Sequence, residues 1–137
     1  MTLIFHIISR DAALLARQIG EYRAESLASE GFIHFSGSHQ VLGVASRFYA
    51  GQHGLILLAV DPSRLTAQLK YEAPVHPVTP PAPLKNEDFS SDERLTNNNT
   101  FPHLYGLLNF DAVVAIYDFE PDLNGQFSLP AGLLSAL

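Results

Sequence analysis

The segment Leu55-Ile56-Leu57-Leu58-Ala59-Val60 decides how this sequence is read. Six apolar residues stand in a row with nothing polar between them. A strand with one wet face alternates apolar and polar residues, whereas an unbroken run marks a strand buried on both faces. The run predicts a central strand over 55–60, closed by Asp61-Pro62. Toward the N-terminus, residues 2–8 (TLIFHII) are β-branched and aromatic and predict another strand. Ser9 is placed to cap a helix and Asp11 sits in its first turn. Leu15 and Ile19 recur at i, i+4 as its apolar face, and Gly20 stops it. Residues 21–30 are polar and irregular. Gly31 opens the strand FIHFS (32–36). Ser38 is placed to cap a second helix, whose apolar positions Val41, Leu42, Ala45, Phe48 and Tyr49 fall at helical spacing before Gly51.

Toward the C-terminus, QLKYE (68–72) predicts a short strand. FPHLYG (101–106) is extended, because Pro102 steers Phe101 away from helix. AVVAIYDF (112–119) is a further strand, and DLNG (122–125) is the turn of a final hairpin. Between these lie residues 73–100, with five of the nine prolines (74, 77, 80, 81 and 83) and the run Asn97-Asn98-Asn99. They predict a long surface loop. Regular strand-helix alternation stops after the third strand. The order therefore predicts an α+β fold: one domain over 1–137 with a mixed, mostly antiparallel sheet and two helices.

Composition sets the outer bounds. The chain has 137 residues, 47% of them hydrophobic and 16% charged, which suits a packed core and excludes a disordered chain. There is no cysteine, so disulfide frameworks, thiolate nucleophiles and cysteine-bound zinc are excluded. The net charge of −6 opposes binding to nucleic acid or to an anionic membrane. No basic start precedes an uninterrupted apolar run near Met1, and no apolar run approaches the roughly 20 residues that span a bilayer. A cytoplasmic protein, monomeric or weakly dimeric, is the expectation.

Candidate chemistry collects on three strand faces. Side chains alternate along a strand, so His6 shares a face with Ile4 and Ile8, and His34 with Phe32 and Ser36. Phe101, His103 and Tyr105 share a third. The expectation is that His6, His34 and His103 line one cleft. Glu72 ends a strand that opens toward it, and Arg47 on the second helix is placed for an anion contact. His39, His53 and His76 stand in cap, turn and proline-rich contexts that predict surface positions. No HExxH, paired-carboxylate, Walker, GxGxxG or GxSxG pattern is present, so no metal site is expected.

IFHIIS, GFIHFS, RFYAG, LILLAVDPSRL, LKYE and FPHLYG, in this order from residue 3 to about 118, resemble the family known as domain of unknown function 952. More distantly, the pattern resembles the ADP-ribosyltransferase fold, and within it the RNA 2′-phosphotransferases. That resemblance implies that His6 contacts the ADP-ribose of NAD and that His34 and Ser36 form the second-strand motif. The late glutamate of that fold has no counterpart here; Tyr105 or His103 stands nearest. NAD is the implied cofactor. Two readings stand. In the first, the pocket binds or processes NAD or an ADP-ribose-like nucleotide, with Glu72 and His34 catalytic and His6, Ser36, Arg47, His103 and Tyr105 binding. In the second, the same pocket belongs to a non-catalytic binding module for a small polar metabolite or a protein partner.

Overall fold

The computed structural model describes residues 2–73 and 100–130. The loop expected over 73–100 therefore lies outside the described residues except at its two ends, as does His76. β1 (Ile4–Ser9) runs into α1 (Arg10–Ile19), followed by β2 (Glu21–Tyr22), α2 (Glu25–Glu30), β3 (Ile33–His34) and α3 (Val41–Phe48). β4 (Leu55–Val60), β5 (Gln68–Glu72), β6 (Phe101–Tyr105), β7 (Leu108–Asn109) and β8 (Val113–Asp118) complete the described elements, with 3₁₀ turns after β4 and β7.

Every strand pairing among the described residues is antiparallel, and the pairings fall into three small sheets: β1-β4-β8, β3-β6-β5 and β2-β7. This corrects the expectation of one mixed sheet. β2, β3 and β7 have two residues each, too few to carry a continuous ladder. The first two sheets meet at one bridge, where the backbones of Phe5 and Ser36 exchange two hydrogen bonds of 2.8 Å.

β4 is buried along its whole length, as an unbroken apolar run requires. Its even-numbered residues Ile56, Leu58 and Val60 pack with Ile4 and Ile8 of β1 against Ile33, Phe35, Leu104 and Leu108. Its odd-numbered residues Leu55, Leu57 and Ala59 pack with Phe5 and Ile7 against Val41 and Ala45 of α3. The chain thus stacks α3, the β1-β4-β8 sheet and the β3-β6-β5 sheet in layers. Each side chain fully withdrawn from water adds about 1.5–3 kcal/mol.

The helices differ from expectation in instructive ways. α1 starts where Ser9 accepts the Ala12 N–H at 3.2 Å and stops at Gly20, whose φ of 97° favours glycine. Yet its buried residues are Ala13 and Ala16, while Leu15 and Ile19 are 57% and 61% exposed. Small side chains let the helix approach closely, so the i, i+3 alanines win the interior over the leucine face. α2 is a third helix within a stretch read as irregular. It buries none of its residues, so it carries no periodic apolar signal. Ser38 does not cap α3. Gln40 stands there, its side-chain oxygen accepting the Gly37 N–H (2.8 Å) and its amide donating to the Thr100 carbonyl (2.6 Å). α3 ends at Phe48, which is 51% exposed, before Gly51 is reached. DLNG forms a turn, with the Gly125 N–H bonded to Asp122 O at 2.9 Å, but no strands flank it among the described residues. No helix of the described residues is long and apolar enough to cross a membrane.

Candidate functional site

A cavity of about 830 Å³ opens between β1, α2, β3, α3 and the start of β6. The elements place its residues in turn. β1 turns His6 toward the β3-β6-β5 sheet, on the face it shares with Ile4 and Ile8. Ser36 reaches the cavity because its backbone is stitched to Phe5. β3 and β6 pair with His34 opposite His103, so both imidazoles lie on one face, their ring centroids 5.5 Å apart at 80°. α3 contributes Arg47, and aromatic walls come from Tyr22, Phe35, Phe48, Tyr49 and Phe101. His6, His34, Ser36, Arg47 and His103 therefore border one space. Glu72 and Tyr105 do not border it among the described residues.

His6 is the most constrained group. Its Nδ1 lies 2.6 Å from the carbonyl oxygen of His34. A carbonyl only accepts, so Nδ1 carries the proton and Nε2 is left as the acceptor. Burial pulls its pKa down from 6.5 to about 4, against the raising effect of that carbonyl. His6 is thus neutral at pH 7. Its ring also meets Tyr22 and Phe35 at centroid distances of 5.5 and 5.3 Å.

His34 and His103 are each tied to a carboxylate. His34 Nε2 is 3.1 Å from Glu30 Oε1, at the last residue of α2. His103 Nδ1 donates to Glu72 Oε1 at 2.8 Å, and the Tyr105 hydroxyl donates to the same oxygen at 2.5 Å. These two bonds, Tyr105 first, hold the Glu72 carboxyl below its ordinary range, and the bond to Glu72 raises the Tyr105 phenol. His103 is 1% exposed, with Phe32 stacked on it at 4.1 Å and 21°. Burial raises the phenols of Tyr22 and Tyr49.

Sequence reasoning missed Glu30, Tyr22 and His39. Glu30 closes a helix that carries no periodic signal. His39 was expected at the surface; it is exposed, but it also borders the cavity. His53 is exposed and pairs with Glu120 at 3.1 Å. Among the described residues no cluster of three or more His, Asp or Glu side chains is arranged to hold a metal ion.

The family described as "Protein of unknown function (DUF952)" matches residues 7–116. Among solved structures, the chain is similar to the crystal structure of protein CC0527 from Caulobacter crescentus. The identity is 30% and the TM-score 0.73, over 99% of this chain and 100% of that one. It is also similar to the solution NMR structure of CC0527, at 30% identity and a TM-score of 0.66, over 92% of this chain and 91% of that one. No curated protein matches. These relatives establish the fold and leave the chemistry to be argued from the cavity itself.

Proposed function

This chain belongs to the DUF952 family of proteins of unknown function, and we propose that its cavity binds a small anionic ligand carrying a flat ring, of the class of NAD and ADP-ribose. One observation carries the reading: a single cavity of about 830 Å³ brings aromatic rings, four imidazoles, Ser36 and Arg47 together. Ligand pockets run from about 300 to 1,000 Å³ and combine apolar walls with a few convergent polar groups. A base would lie against the aromatic walls, a hydroxyl would donate to Nε2 of His6, and a phosphate would take the Arg47 guanidinium. The likeness of IFHIIS and FIHFS to strands of the ADP-ribosyltransferase fold supports the same ligand class.

Calorimetric titration of the full chain with ADP-ribose, NAD and adenosine tests this. ADP-ribose and NAD should bind and adenosine, lacking the charge, should bind more weakly. Arg47→Ala should weaken ADP-ribose binding by about 1.5–3 kcal/mol, the range for hydrogen bonds to charged groups. Absence of heat and of any thermal shift with either nucleotide at millimolar concentration would remove the nucleotide class from this site.

A further inference from the structure

We propose that the open N-terminus of α3 is the phosphate subsite of this cavity; the inference rests on the anionic-ligand reading above and names where the charged group of that ligand sits. A turn over residues 37–40 leads into the eight residues of α3. The Gly37 carbonyl accepts the N–H groups of Gln40 (3.0 Å) and Val41 (3.1 Å), and the Gln40 carbonyl accepts that of Val44 at 3.1 Å. Between them, the N–H groups of Leu42 and Gly43 have no partner among the described residues. A side chain at the cap commonly covers such groups. Gln40 occupies the cap without bonding back, because its amide group is engaged by Gly37 and Thr100. No acidic side chain stands in the first turn. The helix dipole therefore ends in bare N–H groups, which favour an anion.

Two further observations point to a ligand at this end. Ser36 is 6% exposed and borders the cavity. Both its backbone groups are bonded to Phe5, while its hydroxyl has no partner among the described residues. Residues paired across a bridge share a face. Phe5 packs with Val41 and Ala45, so the Ser36 hydroxyl is directed toward α3. Buried hydroxyls are normally paired, and a ligand oxygen would supply the missing acceptor. Gly43 also borders the cavity, and a Cβ built there would meet nothing within 4 Å. Glycine inside a helix is less favourable than alanine, and packing does not require it here. Its absent side chain leaves the helix backbone open to an incoming group. Arg47 stands at i+4 from Gly43, borders the same cavity and has no ion-pair partner among the described residues. Helical side chains lean toward the N-terminus, which brings the guanidinium toward Gly43. Glu25, a carboxylate that also borders the cavity, comes from α2 and not from this turn. A phosphate at this end accepts from the Leu42 and Gly43 N–H groups and the Ser36 hydroxyl, and Arg47 supplies the opposite charge.

The full chain, labelled with nitrogen-15, is titrated with inorganic phosphate, ADP-ribose, NAD and adenosine and followed by amide NMR, with calorimetry in parallel. Phosphate and the two nucleotides should move the Leu42 and Gly43 amide signals, and adenosine should leave them in place. Gly43→Glu puts a carboxylate at the third helical position, where glutamate suits the dipole. It should raise the melting temperature and yet, by taking the place of the anion, weaken ADP-ribose binding roughly 10-fold or more, the loss of a hydrogen bond to a charged group. Ser36→Ala removes only an unpaired hydroxyl. It should leave the melting temperature unchanged or higher while weakening ADP-ribose binding by roughly 10-fold. ADP-ribose binding with the two amides unmoved, or undiminished in both variants, overturns the inference and leaves the nucleotide reading standing. Movement with phosphate, without binding of either nucleotide, upholds the subsite and overturns the nucleotide reading. Absence of binding by phosphate and by both nucleotides overturns both.

Discussion

The two three-stranded sheets lie face to face and share an apolar cluster, yet they are built to different rules. In β1-β4-β8, the central strand β4 has no polar residue, and its two sets of side chains fill the space on both sides. In β3-β6-β5 only one face is apolar. Ile33 and Leu104 point inward, while the other face carries Phe32, His34, His103, Tyr105 and Glu72, tied by hydrogen bonds and ring contacts. The first sheet is built around a strand that is dry on both faces, and the second carries a polar network on one face. His6 is where the two meet: a β1 residue whose ring is held by the backbone of β3.

The sharpest test of the contrast is a large-to-small change in the dry sheet. Leu57 is fully buried between β4 and α3. Leu57→Ala should cost about 2–5 kcal/mol in denaturant unfolding, the transfer term plus the cavity left behind. A loss under 1 kcal/mol would mean that this side of β4 collapses freely and is not the closely packed element described. The junction gives the next largest effect. With a folded pKa of about 4 against 6.5 unfolded, His6 binds fewer protons in the folded chain between those values. Stability is therefore complete above pH 6.5 and falls as pH drops toward 4, by up to about 3 kcal/mol. His6→Asn keeps a donor near the His34 carbonyl but has no ring to protonate. It should be less stable at pH 7, through lost contacts with Tyr22 and Phe35, and flat where the unaltered chain declines. The measurement is urea unfolding from pH 4 to 7.5; a parallel decline in both chains would refute the assignment to His6.

The same contrast explains what the sequence could reveal. Leu55–Val60 was legible because a strand buried on both faces leaves a one-dimensional mark. So were Ser9, Gly20 and the β5, β6 and β8 segments, whose local chemistry agrees with the fold. α2 was not legible, since none of its residues is fully buried and only Leu27 packs against the core, and the choice of Ala13 and Ala16 over Leu15 and Ile19 is made by how closely α1 can approach the sheet. Within the site, shared strand faces were enough to name His6, His34 and His103, because alternation is a local property. Their partners were not: Glu30, and the backbone carbonyl that fixes His6, become neighbours only through pairing across the fold. Glu72 was singled out as a strand-end carboxylate, but the register sets it opposite Phe101, and its bonds to His103 and Tyr105 run diagonally across β6, which sequence alone does not give.

On the polar face of the second sheet, effects on stability should be smaller, present at neutral pH and lost at low pH. The Glu72 carboxyl is held below its usual 4.5 by Tyr105 and His103. The folded chain therefore keeps this group ionised where the unfolded chain protonates it. Its contribution is present above pH 4.5 and is lost as pH falls through the lowered value. Glu72→Gln should destabilise the chain modestly at neutral pH and converge with the unaltered chain on acidification. Melting curves at several pH values would show it, and a constant offset at every pH would mean that the side chain matters only through its shape.

The smallest effect sharpens the account of the dry sheet by asking what its helix adds. If α1 is held by Ala13 and Ala16, which are both 3% exposed, then the leucine face read from the sequence does no packing. Leu15 at 57% and Ile19 at 61% exposure keep most of their surface in water. Leu15→Gln and Ile19→Gln should each change stability by no more than about 0.5 kcal/mol, as surface substitutions away from caps and cavities do. Glutamine is close to leucine in helix propensity, so the Leu15 change isolates burial from helix formation. Ala16→Leu is the counterpart: it forces a larger side chain into a closed contact and should destabilise where Leu15→Gln does not. A costly Leu15→Gln beside a harmless Ala16→Leu would reverse the assignment of the buried stripe. It would turn α1 about its axis and change which residues cover the β1-β4-β8 sheet.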